Sequence, residues 1–551
     1  MPPREFSQRS EAPSKLSRAG EGWRIHIRGI GTINASPYRE SVETLVAAPA
    51  SAPEEEIETS PGKEEDHRQT TVSSRSMKYE QFAQTTVLAI LFAAPALMCV
   101  HAALVADPDI WWHMRTGEWI LQYHAVPHVD PFSGPLAGKP WQAYSWLFEL
   151  AVAKLFQWRG LVGILAYSAS MIMAITVAMY HLVRRLQGDF TVGVLLTFAA
   201  LFGMGHLNTP RPWMFTILFF VLELDILMHA RRTGKLRELA WLPVIFALWA
   251  NVHIQFVDGL FVLGIALAEA VLARWTTAAQ TRIRPSWLGA ALLASTLATL
   301  VNPYGWHIYS VAHDLATQGG ALNKVSELQA IPFRDLTDFL ILLLAMASAA
   351  ALARRRGLAF FEVALLAFAA VLSFRSQRDA WLMTSVAAAI LAASITSRQK
   401  VAPSLPRFAR RLALIAAGVA VVAGFRVMHV TNDQLQIEVA KNLPVRAVEV
   451  IREKGYSGAL YNDFNWGGYL IWNLRKPVNI DGRQNLYGDQ RIDRSVATWS
   501  AEPDWASDPQ LSSAGVVIGP VKAPLMQLLR KDARFQLAYE DNLASVFVAH
   551  K

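Results

Sequence analysis

The stretch "QTTVLAILFAAPALMCVHAALVADPDIWWHMRTGEWI", residues 84–120, runs from a long apolar segment straight into two aspartates, three tryptophans and a histidine. The segment 84–105 is close to the roughly 20 apolar residues that cross about 30 Å of hydrocarbon. The residues after it therefore stand at a membrane face. Carboxylates placed there need a reason, because they are costly beside lipid unless they are solvated, paired or used.

The rest of the chain fits that beginning. Its 551 residues are 53% hydrophobic and only 17% charged, and the apolar residues are clustered. About eleven segments have near-spanning length, at 84–105, 160–182, 190–207, 213–229, 239–253, 254–273, 286–302, 338–353, 358–374, 380–396 and 412–430. Net charge is +8, but the basic residues fall in short clusters between apolar runs. That is the pattern of topology signals, and it argues against a nucleic-acid partner. The one cysteine, Cys99, lies inside an apolar run, which excludes an intrachain disulfide.

Alternate loops differ in charge. Arg184-Arg185, Arg231-Arg232, Arg354-Arg355-Arg356 and Arg410-Arg411 crowd one set, whereas the other holds isolated basic residues such as Arg211, Lys324, Arg375 and Arg378. The positive-inside rule puts the crowded set in the cytoplasm. The expected organisation is a disordered cytoplasmic tail over residues 1–80, a transmembrane domain over 81–430 with outward loops 106–159 and 303–337, and an extracytoplasmic α/β domain over 431–551. Met77, just ahead of the first span, reads as an alternative translation start. In the last segment "NLPVRAVEVIREKG" predicts a helix between Pro444 and Gly455, "PVNID" and "GVVIGP" predict short buried strands, and "FQLAYEDNLASVFVAH" predicts a hairpin turning at Asp541-Asn542. The fold class is thus an α-helical polytopic membrane protein with a small C-terminal α/β domain.

Asp107 suits a helix N-cap, with Pro108 in the first turn and Asp109 where the helix dipole favours negative charge. Trp111, Trp112 and Trp119 would then anchor the helix at the interface. The same carboxylates can also accept a proton from a hydroxyl at the membrane surface. With His113 one turn on, a divalent cation held by oxygen ligands is a further alternative, although spacing alone does not call for a metal. Arg211, Arg375 and Arg378 are the outward arginines able to clamp a phosphate, or else to snorkel or pair locally. His253 in "WANVHIQF" either packs or faces a cavity. Glu327 lies in a loop long enough to cover a cavity mouth. "WGGYLIW" and "DGRQ" carry Gly467-Gly468 and Asp481-Gly482-Arg483, which are either ordinary turns or ligand-contacting ones. No glycine-rich nucleotide loop is present in the sequence.

"DPDIWWHMRTGEWI", "VPHVDPFS", "PWQAYSWLFEL", "RPWMFTILFF", "WANVH" and "NPYGWHIY" together resemble a group of bacterial multi-spanning proteins similar to the glycosyltransferase-C superfamily. Members of that superfamily include protein O-mannosyltransferases and aminoarabinose transferases acting on lipid A. The resemblance covers about residues 84–430 and, for the narrower group, reaches "WGGYLIW" and "DGRQNLYG". It implies a bacterial inner-membrane hexosyl- or pentosyltransferase that uses a polyprenyl-phosphate sugar, with Asp109 or Asp107 as the catalytic base. It also implies that His113, Arg211, His253, Arg375 and Arg378 serve substrate. The superfamily often has adjacent acids, whereas here Pro108 separates the two. A lipid-linked sugar flippase and a non-catalytic envelope assembly component are the alternatives from other functional classes.

Overall fold

A computed structural model describes residues 62–99, 107–274, 281–319, 325–355, 360–395 and 405–550. Expectations for residues 1–61, and those resting on Lys324 or Arg356, lie outside the described residues. The chain divides after Gln69, and Thr70–Lys551 forms one compact unit.

Each of the stretches read as spanning candidates is occupied by a helix. These are α1 (Gly62–Met98), α4 (Leu161–Leu186), α5 (Phe190–Gly203), α6 (Trp213–Thr233), α7 (Leu242–Val252), α8 (Phe256–Leu272), α9 (Pro285–Thr299), α11 (Leu336–Ala353), α12 (Phe360–Arg375), α13 (Ala380–Ser394) and α14 (Arg407–Val427). Among the described residues, five are long and apolar enough to cross a membrane: Met77–Met98, α4, α6, α11 and α14. The others are shorter because the sequence interrupts them. His253 leaves the helix in an extended conformation and separates α7 from α8, and Pro285 opens α9. α1 is already helical at Gly62, inside the stretch expected to be disordered. A proline-free run ahead of an apolar helix extends it at one hydrogen bond per added residue.

The stretches expected as outward loops carry helices as well. The first holds α2 (Ile110–Tyr123) and α3 (Trp146–Arg159), and the second holds α10 (Ile308–Thr317). α2 and α3 approach closely at Gly117, where a Cβ would stand 2.0 Å from the Glu149 carbonyl oxygen. Only glycine permits that approach. Around them lies an apolar core in which Trp249, Trp381, Phe220, Phe246 and Phe361 are fully buried. Phe220 meets Trp381 edge to face, with ring centroids 5.0 Å apart.

The C-terminal region contributes α15 (Asn432–Ala440), α16 (Val445–Lys454), α17 (Gly467–Leu474), α18 (Gln484–Trp499) and four strands: β1 (Ala459–Asn462), β2 (Ala514–Pro520), β3 (Phe535–Glu540) and β4 (Ala544–Ala549). The sheet order is β1-β2-β4-β3. β1 and β2 are parallel, with Leu460 opposite Val516, so the chain must cross over between them; α17 and α18 make that crossover. β3 and β4 form the expected hairpin, closed by Asp541 Oδ1, which accepts from the Leu543 and Ala544 amides. α16 starts after Pro444 and stops at Gly455 in the left-handed region, φ 63°. "PVNID" is not a strand. Val478 makes one bridge to Ser133, because its partner is a turn of the loop after α2 and not a sheet edge.

The sheet region shares its core with the membrane helices: Trp466, Tyr469, Val516 and Val546 belong to the same buried cluster as Trp111, Met114 and Trp381. Trp111 and Trp112 are therefore buried at 2% and 6% exposure and do not anchor an interface. Tyr469 of α17 lies edge to face on Trp111 at 5.0 Å and covers it.

Candidate active site

Asp107 sits three residues ahead of the first residue of α2, and its Oδ1 accepts from the amides of Asp109 (2.9 Å) and Ile110 (3.3 Å). It thus closes the first turn from outside, while Asp109 occupies the N-cap position with no capping bond of its own. The carboxylate of Asp107 also receives Arg211 Nε, at 3.0 Å and 2.8 Å from its two oxygens. The same guanidinium places Nη1 2.5 Å from Asp109 Oδ2 and 3.3 Å from Glu327 Oε1. Three carboxylates from two separated segments, Asp107 and Asp109 before α2 and Glu327 in the loop before α11, thus converge on one arginine.

Arg211 is fixed from behind. Its carbonyl accepts from Tyr167 Oη at 3.1 Å, and its guanidinium lies over the Trp213 ring at 4.7 Å. The Arg378 guanidinium lies 6.0 Å from the same ring, and its Nη1 is 4.0 Å from Glu327 Oε1. Burial pushes the Asp109 carboxyl up to about 7; Arg211 opposes the rise, and Asp107 and Glu327 add to it. Burial disfavours the Arg211 cation, but the three carboxylates outweigh it and hold the arginine firmly protonated.

Two cavities meet here. A polar chamber of about 280 Å³ is lined by Asp107, Arg211, Trp213, Glu327 and Arg378, with His206 and Thr209. An apolar groove of about 670 Å³ runs along Pro95, Met98, Phe198, Leu201 and Phe202 and shares Asp107, His206 and Thr209 with the chamber. Thr209 Oγ1 and Arg378 Nε are buried and have no hydrogen-bond partner among the described residues. Unpaired buried polar atoms are uncommon, and at a cavity wall they suit a polar ligand.

Of the sequence-predicted site residues, Asp107, Asp109, Arg211 and Arg378 come together. Arg375 does not; it lines a neighbouring cavity of about 170 Å³ with Asp258, Asp379 and Gln484, which touches the chamber region at Arg378. Neither histidine lines these cavities. His113 Nδ1 is 3.1 Å from Glu149 Oε1, with both side chains buried. Burial, with Arg211 and His253 nearby, holds the His113 imidazole well below its usual value, and burial raises Glu149 well above the carboxylate range, so the pair is neutral. His253 Nδ1 meets Thr216 Oγ1 at 2.8 Å, and that hydroxyl also accepts from Trp249 Nε1.

A divalent cation does not fit the acidic residues. Arg211 already occupies the space between Asp107, Asp109 and Glu327, and among the described residues no group of three or more His, Cys, Asp or Glu side chains is arranged to hold a metal.

The C-terminal glycine motifs complete the wall. A Cβ on Gly482 would stand 2.0 Å from Asp109 Oδ1, and one on Gly468 would stand 2.6 Å from the Pro108 carbonyl oxygen. Arg483 holds this turn in place. Fully buried, it pairs with Asp481 at 2.7 Å and with Asp130, in the loop after α2, at 2.6 Å. The sequence marked "DGRQ" as a turn, but its seat on Asp109 depends on contacts far along the chain. Glu149 escaped notice, although an acid in "WLFELAVAKLF" was a usable signal; Thr209, two residues from Arg211, carried none.

No protein-family model matches the chain, and no curated protein matches it. Among solved structures it is similar to the oligosaccharyltransferase of Archaeoglobus fulgidus, crystallised with a tethered acceptor peptide containing the NVT sequon. The TM-score is 0.50 at 13% identity, over 81% of this chain and 69% of that one. It also matches ArnT from Cupriavidus metallidurans, crystallised with undecaprenyl phosphate, with a TM-score of 0.46 at 12% identity, over 83% of this chain and 97% of that one. Over the residues it covers, the chain therefore shares its fold with that oligosaccharyltransferase.

Proposed function

We propose that the protein transfers a sugar from a polyprenyl-phosphate carrier to a hydroxyl on an acceptor outside the cytoplasm. The observation that carries this reading is the junction at Asp107 of an apolar groove with an arginine-bearing chamber. A lipid chain fills the first while its phosphate meets Arg211 and Arg378 in the second, where arginine matches phosphate oxygens as a planar fork. Thr209 Oγ1 and Arg378 Nε, which have no partner among the described residues, gain one from the phosphate.

In the reaction the acceptor oxygen attacks the anomeric carbon, the bond from that carbon to the phosphate oxygen breaks, and the hydroxyl proton passes to a carboxylate. The products are the glycosylated acceptor and polyprenyl phosphate. Asp109 is the better base. Its carboxyl is poised near 7, close to the working pH that favours proton transfer; both aspartates pair with Arg211, but Asp107 is also occupied by two backbone amides. Arg211 and Arg378 stabilise the charge that grows on the departing phosphate. Glu327, partly exposed at the chamber wall, faces the acceptor.

The test is mass spectrometry of polyprenyl-phosphate sugars from cells lacking the protein, complemented with wild type or Asp109→Asn. The proposal expects one carrier-linked sugar to build up on deletion and the folded Asn variant to leave it uncleared. Unchanged carrier pools on deletion would sink it.

A further inference from the structure

A second large groove lies at the other end of the helices. It has a volume of about 680 Å³ and is formed by α1, α4 and α14. Arg184 and Arg185 border it from α4, and Arg407, Arg410 and Arg411 from α14; none of its lining residues is acidic. Its floor is apolar. Phe92 and Tyr180 lie edge to face at 5.9 Å, beside Leu88 and Leu405.

Two of the arginines are spoken for: Arg185 pairs with Asp225 and Glu238, and Arg184 donates to the Gly188 carbonyl. Arg407, Arg410 and Arg411 are exposed and have no carboxylate partner among the described residues. Like charges gathered on one face repel one another unless an anion joins them. The floor specifies which kind of anion, because α1 and α14 are largely uncovered by the rest of the protein and present hydrocarbon-compatible walls to the bilayer. A soluble phosphate would use the arginines and leave the floor bare.

The groove is remote from the carboxylates. Along α4, Tyr167, which touches Arg211, and Arg184 are separated by 17 residues, or about 25 Å at 1.5 Å per residue. It lies at the end that the clustering of basic residues assigns to the cytoplasm.

We propose that this groove binds an anionic phospholipid of the cytoplasmic leaflet, with its phosphate on Arg407, Arg410 and Arg411 and its first acyl carbons over Phe92 and Leu88. Basic pockets between membrane helices on that side suit such headgroups. The site is separate from the proposed transfer reaction and does not depend on it.

The experiment uses the full chain in nanodiscs of phosphatidylcholine with and without phosphatidylglycerol, read by native mass spectrometry of retained lipid and by unfolding temperature. Wild type should retain phosphatidylglycerol in saturable fashion and unfold at a higher temperature with it. Removing three arginines that each contribute about fivefold near an anionic surface should weaken retention about a hundredfold in R407Q/R410Q/R411Q. R274Q/R282Q/R284Q removes the same charge outside the groove and should retain lipid like wild type. Equal loss in both triple variants would reduce the effect to diffuse surface charge and overturn the site. So would equal retention of phosphatidylcholine, or the same thermal shift from glycerol phosphate alone. The wild-type lipid comparisons decide the matter even if the groove variant does not fold.

Discussion

Arg211 Nε lies 2.8 Å from Asp107 Oδ2, and through this contact one arginine joins the start of α2 to the loop before α6. Its Nη1 then reaches two further carboxylates. A lysine has one nitrogen and cannot satisfy Asp107, Asp109 and Glu327 at once. R211K should therefore lower transfer by about 10²–10³ while the protein stays folded. The measure is release of polyprenyl phosphate from extracted lipid-linked sugars by purified variants. Near-wild-type turnover by R211K would remove the arginine from the reaction.

Asp109 must be ionised to take a proton, and its carboxyl titrates at about 7. Activity is accordingly expected to be low in acid, to rise through about pH 7 and to level off above it. The pH dependence of kcat/KM in the wild type checks this. A flat profile across that range would place the proton transfer on another group.

Gly482 has no side chain where Asp109 Oδ1 needs the room. G482A should push the carboxylate aside and lower kcat by about 10²-fold, since displacement of a reacting group by about 1 Å is enough for that. G289A is the matched control, because nothing stands within 4 Å of a Cβ there. Comparable losses in both variants would mark a general effect of added methyl groups.

Burial keeps Glu149 protonated in the folded protein, whereas the unfolded chain ionises near the ordinary glutamate value. A folded value above the unfolded one gives stability that is present in acid and lost as pH rises. E149Q carries no such cost, so it should be more stable than the wild type at about pH 7.5 and close to it at about pH 4.5. Unfolding temperatures of the two proteins at both pH values test this. Destabilisation at the higher pH would mean that Glu149 is ionised against His113.

The helices were legible in the sequence because run length and apolar content are local properties. α4 and α6 stand where "LVGILAYSAS" and "WMFTILFF" begin, and the β3–β4 hairpin follows from alternation about Asp541. The strand β1 was not legible. Four residues are too few to show a period, and the β2 partner of Leu460 is Val516, beyond three intervening helices. The aspartates and Arg211 could be singled out by charge at a membrane face, but their convergence with Glu327 spans more than a hundred residues and had no local trace. Trp111 and Trp112 misled for a related reason. A tryptophan beside a span suits an interface, and only the distant Tyr469 reveals that this one is covered.

The ion pair between Asp130 and Arg483 joins residues 353 positions apart, and that separation bears on biogenesis. At roughly 5–20 residues per second, a ribosome needs on the order of 20–70 s to travel from one to the other. Throughout that interval the membrane helices can insert while Asp109 still lacks its wall. A chain cut short before Gly482 would reach the membrane with Asp109 lacking the backbone that packs against it.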